Sequence, residues 1–106
     1  MFEESLWLAR RTGNRVALAY ASLGLACLAA DRGDWHRAGQ LHGAAQALLD
    51  QTGHQWDDGE ARYRRDSLDR VRTRLGQDQF GLVYAKGTML SLEEVLDAAL
   101  GRAAPA

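Results

Sequence analysis

Residues 16–30 read VALAYASLGLACLAA, apolar at every position except Ser22 and Gly24. No other stretch constrains the chain so strongly. A helix built from it has no polar face to offer water, so other helices must enclose it. It is also shorter than the roughly 20 residues needed to cross a bilayer. The stretch therefore predicts the central rod of a helical stack, with no chemistry of its own.

The rest of the chain is punctuated to match. The only proline is Pro105, and glycines provide the stops. Gly13, Gly33 and Gly53 each follow a helix-like run and suit the left-handed position that ends a helix. Gly76 and Gly87 close two further runs. No segment alternates in the two-residue rhythm of a strand. The expected class is all-α with about six helices, near Glu3–Thr12, Asn14–Ala30, Trp35–Gln51, Gly59–Leu75 and Gln77–Lys86, then one from Leu92 that frays at Gly101. At 106 residues the chain makes one domain. Residues 1–53 form a repeat region and residues 54–106 the C-terminal capping helices.

Cap signals place the starts. Asn14 and Asp34 suit N-caps, Asp57 with Glu60 reads as a capping box, and Ser91 with Glu94 is a stronger one. Small residues Ala38, Gly39, Gly43 and Ala44 predict close backbone packing within the hairpin around Gly33. In the last third, Phe80, Val83 and Tyr84 are expected to turn inward. So are Leu68, Val71 and Leu75.

The hairpin around Gly33 resembles a tetratricopeptide repeat. Leu25 and Ala26 stand where that repeat places its leucine and small residue, Gly33-Asp34 matches the turn, and Ala38 and Ala45 match the packing alanines. His42 replaces the usual aromatic. The first helix looks like the second half of a preceding repeat, so the chain holds about one and a half repeats. The segments Glu4-Ser5-Leu6-Trp7-Leu8-Ala9-Arg10, Leu41-His42-Gly43-Ala44-Ala45-Gln46-Ala47-Leu48 and Leu90-Ser91-Leu92-Glu93-Glu94 together resemble the C-terminal region of large actinobacterial transcriptional regulators. These are LuxR-type or antibiotic-regulator-type proteins in which an ATPase module precedes tetratricopeptide-like repeats. The resemblance implies a helical part that receives partners or effectors, attached to an upstream ATPase module of a longer chain. No phosphate-cradling Gly-rich loop ending in Gly-Lys-Ser/Thr is present, so ATPase chemistry does not carry over.

The chemistry-bearing residues form no constellation along the sequence. His36 and His42 are six apart, off the spacing that places two ligands on one helix face. Ser22 and Ser67 have no base beside them in the sequence, and His42 is expected at the margin of the hairpin. Cys27, the single cysteine, reads as a buried inert thiol. No catalytic residue, metal site or cofactor is expected. Arg62, Arg64, Arg65, Arg70, Arg72 and Arg74 make one helix basic, but interspersed Asp66 and Asp69 favour a solvated face laced with ion pairs over a DNA-contacting one. The net charge of −1 supplies no long-range pull toward nucleic acid or membrane. The start Met1-Phe2-Glu3-Glu4 lacks signal-peptide character, which points to the cytoplasm.

What remains is surface. A stack of hairpins exposes apolar area wherever an end lacks a neighbour. The C-terminal end is expected to be capped and the N-terminal end raw, so Phe2, Leu6 and Trp7, together with Trp56 in its polar connection, form the candidate interaction surface. The expected function is a non-enzymatic module for protein–protein contact or self-association, as a homodimer through the first helix. The alternative is an effector-sensing domain with a small ligand held between the repeat and the fourth helix.

Overall fold

The computed structural model describes residues 15–99, and those residues are all-α, with no strand among them. Five helices follow in order: α1 (Arg15–Asp31), α2 (Trp35–Asp50), α3 (Asp58–Leu75), α4 (Gln77–Thr88) and α5 (Leu92–Ala99). The expected helix near Glu3–Thr12, with Phe2, Leu6, Trp7 and the Gly13 stop, lies outside the described residues.

α1 is the rod its composition demands. Ten of its residues are buried, distributed around the helix, among them Leu18, Ala19, Leu23, Ala26 and Cys27. It pairs antiparallel with α2 through a turn whose hydrogen bonds satisfy the last carbonyls of α1. Gly33 N–H donates to Ala30 O at 3.0 Å and Asp34 N–H to Ala29 O at 2.9 Å. This is the Schellman arrangement, and it needs the positive φ of 79° that Gly33 adopts. Leu41, Leu48 and Leu49 of α2 then close on Leu18, Leu25 and Ala26 of α1. Each large aliphatic side chain buried this way contributes roughly 1.5–3 kcal/mol.

The last three helices fold back over this hairpin. α3 touches both α1 and α2, α4 packs chiefly on α2, and α5 reaches α2 and α1. Leu68, Val71 and Phe80 join Ala29, Ala30 and Ala38 in one apolar cluster, with Leu75, Tyr84 and Trp35 at its edge. A single residue, Gly76, joins α3 to α4. Its N–H closes α3 on Arg72 O and its carbonyl opens α4 by accepting from Phe80 N–H, both at 2.9 Å.

Ala38 packs with Ala29 and Ala30 of α1 as expected, but the two glycines of α2 act differently from the expectation. Gly39 and Gly43 face α4, not α1. A Cβ at Gly39 would stand 2.8 Å from Val83 Cγ1, and one at Gly43 would collide with the Tyr84 carbonyl oxygen. Gly87 differs from the expectation in the same way. It does not close a run at Lys86, because α4 continues to Thr88 and Gly87 lies buried within it. A Cβ there would collide with the Gln40 carbonyl oxygen. The glycines let α2 and α4 touch backbone to backbone.

Two expected caps also differ. Neither Asp34 nor Asp57 makes a side-chain cap hydrogen bond. Asp34 instead pairs with Arg37 at 3.1 Å, and the Asp57 N–H donates to the Tyr20 hydroxyl at 3.2 Å. The Ser91–Glu94 box is formed as expected: Ser91 N–H donates to Glu94 Oε1 at 3.0 Å and Glu94 N–H to Ser91 Oγ at 3.2 Å. The Ser91 backbone N–H first, and the Ser91 hydroxyl second, hold the Glu94 carboxyl below the usual carboxylate range.

Candidate functional site

Packing α3 across the hairpin brings together side chains that are far apart in sequence. His42 of α2 is fully enclosed, not marginal, and shares a 2.8 Å hydrogen bond through Nε2 with the Ser67 hydroxyl of α3. Burial first, and the Arg64 guanidinium second, push the His42 imidazole down to about 3. The ring is therefore neutral near pH 7. Cys27 of α1 completes the group. Burial pushes its thiol up, while the Ser67 hydroxyl beside it pulls the other way. Arg64 reaches past the cluster and donates through Nη2 to the Tyr84 hydroxyl at 2.9 Å.

A serine, a histidine and a cysteine in contact carry nucleophile-and-base chemistry only if substrate reaches them and the base is basic. Here Ser67 is 5% exposed and His42 0%. His42 Nδ1 has no hydrogen-bond partner, so no third group orients the ring. An imidazole that protonates only near pH 3 is a poor base at neutrality. The arrangement is a polar clasp joining three helices.

The sequence did not foresee this cluster. Two signals were nevertheless present. His42 occupies an inward slot with Ala38 and Ala45, and Ser67 lies on the Val71–Leu75 stripe.

Trp56 is half-buried. Its ring meets Tyr20 edge-on, with centroids 5.1 Å apart and planes at 75°, and Nε1–H donates to Gln46 Oε1 at 2.8 Å. Of the expected interaction residues it is the only one among the described residues, and it pins the α2–α3 connection to the hairpin. Beside it runs a groove of about 630 Å³ between α1 and α3, lined by Ala17, Tyr20, Gly24, Glu60 and Tyr63 among others.

The basic helix is α3, and four of its six arginines, Arg64, Arg70, Arg72 and Arg74, are engaged. Arg70 pairs with Asp31 at 2.7 Å and Arg72 with Asp69 at 3.1 Å. Arg70 and Arg74 lie over the Trp35 ring at 5.9 and 5.4 Å, and Arg72 over Phe80 at 4.9 Å. His36 and His54 are exposed; His36 Nε2 meets Gln79 Nε2 at 3.2 Å. Among the described residues no group of three His, Cys, Asp or Glu is placed to hold a metal, and no helix is long and apolar enough to cross a membrane.

Among the described residues the exposed large apolar side chains are Leu82, Met89 and Tyr63, at 69%, 83% and 56%. Leu82 stands on α4 and Met89 is the C-cap residue that follows it. No family model, curated protein or solved structure matches the chain.

Proposed function

We propose that this chain is a non-enzymatic helical module for protein–protein contact and self-association. In this reading it is a tetratricopeptide-like C-terminal part of a bacterial transcriptional regulator that works in the cytoplasm. One observation carries the proposal: Cys27, His42 and Ser67 are sealed inside, while Leu82 on α4 and Met89 at its C-cap stand in solvent. Exposed aliphatic groups grouped on one face mark contact surfaces. The glycine turn at residue 33 and the three helices laid back over the hairpin support the repeat-and-cap reading. Direct DNA contact is not part of it, since Arg70, Arg72 and Arg74 of α3 are drawn into ion pairs and ring contacts. Sedimentation velocity across a concentration series tests the proposal: a sedimentation coefficient rising with concentration supports it, and a constant monomer value contradicts it.

The groove between α1 and α3 favours a second reading, that of an effector sensor. Its walls are mainly apolar, with two tyrosines and the Glu60 carboxylate as polar groups. A sensor gains thermal stability from its metabolite, so a thermal-shift screen separates the two readings.

A further inference from the structure

Leu82 lies midway along α4, and its exposed neighbours are arranged symmetrically about it. Asp78 and Lys86 stand four residues to either side of it, about 6 Å away along the axis. At 100° per residue both lie within about 40° of Leu82 around the helix, and Met89 within about 20°. All four are exposed. The opposite side of α4 is taken up by Phe80, Val83 and Gly87 against the rest of the fold. The outward face is thus an apolar centre with an acid at one end and a base at the other. Neither Asp78 nor Lys86 has an ion-pair partner within 4.0 Å among the described residues. Glu94, a carboxylate near enough to feel Lys86, is occupied by Ser91.

A face with this pattern complements itself. Turned through a two-fold axis at Leu82, it lies antiparallel on its own copy, with Leu82 against Leu82, Asp78 against Lys86 and Lys86 against Asp78. That is the self-complementary geometry of a two-fold interface. A parallel pairing would set acid on acid and base on base. We propose that the outward face of α4 is a homodimerisation surface and that its occupant is the α4 helix of a second copy, antiparallel and centred on Leu82. The inference rests on the self-association reading and moves its surface from the N-terminal helix to α4. A single helix pair is a small contact, so the dimer is weak and reversible.

Cross-linking and charge reversal test it on the full chain. Leu82→Cys places a thiol on the axis, so it should form a covalent dimer under mild oxidation much faster than Asp66→Cys, an exposed control on α3. Native Cys27 is buried and adds little background. Asp78→Lys or Lys86→Asp alone should raise the dimer dissociation constant roughly ten-fold, because each turns two attractions into repulsions. The double variant should recover wild-type association, although both reversals oppose the helix dipole. Association that persists while Leu82→Cys links no faster than Asp66→Cys overturns this surface and leaves self-association standing. A failure of the double variant to recover likewise overturns the surface. A wild-type chain that stays monomeric at every concentration overturns both.

Discussion

The Ser67 hydroxyl lies 2.8 Å from His42 Nε2, in a hydrogen bond between α3 and α2 that water does not reach. Because the ring is enclosed, its proton equilibrium is tied to folding. The imidazole has an ordinary value of 6.5 and falls to about 3 in the fold. Below pH 6.5 the unfolded chain takes up a proton that the folded chain refuses until about pH 3, so stability is full above that window and is lost downward through it. We expect the unfolding free energy to fall by up to roughly 1.4 kcal/mol per pH unit across the window from this group. Urea titrations of the wild type and His42→Leu check it, since the variant should lack that part of the slope.

The Ser67 side of the same bond gives a second expectation. Ser67→Ala leaves both His42 nitrogens buried without partners, because Nδ1 already has none. The cost should be about 1–3 kcal/mol. Replacing both residues with apolar ones of similar shape should cost less than the sum, and a double-mutant cycle in urea reads the difference.

The glycines on the α2–α4 contact should tolerate no side chain. Gly43→Ala and Gly87→Ala drive a methyl into a carbonyl oxygen of the facing helix. Each should destabilise by about 2 kcal/mol or more. Gly81→Ala, on the same α4 but with open space around it, should stabilise by about 0.5–1 kcal/mol. Thermal melts of the three variants make the comparison.

Trp56 and Tyr20 hold the α2–α3 connection, and their removal should loosen that connection before the core. Trp56→Ala forfeits the ring contact and the bond to Gln46, and Tyr20→Phe forfeits only the bond from the Asp57 N–H. Hydrogen exchange should show faster amide exchange across residues 52–58 in both variants, more so in Trp56→Ala. Protection in the middle of α1 and α2 should remain.

What was legible in the sequence was local. The all-round apolar run became an enclosed rod, Gly33 and Gly76 became junctions, and the Ser91–Glu94 box formed, because each depends on residues within one or two turns. Phe80, Val83 and Tyr84 turn inward for the same reason. What was not legible depends on how helices cross. His42 and Ser67 are 25 residues apart, and their contact exists only because α3 lies over α2. Gly87 looked like a stop because a glycine near a helix end usually is one; only the approach of Gln40 gives it another role. Asp57 looked like a cap, and its N–H was taken instead by Tyr20, 37 residues earlier.

We propose that this fold keeps Cys27, His42 and Ser67 inside and meets its own kind through the exposed face of α4. Light scattering on the full chain, coupled to size exclusion and run from low to high micromolar, measures this most directly. The prediction is a mass moving from monomer toward dimer, abolished by Leu82→Glu with helical circular dichroism unchanged. A monomer mass at every concentration would contradict it.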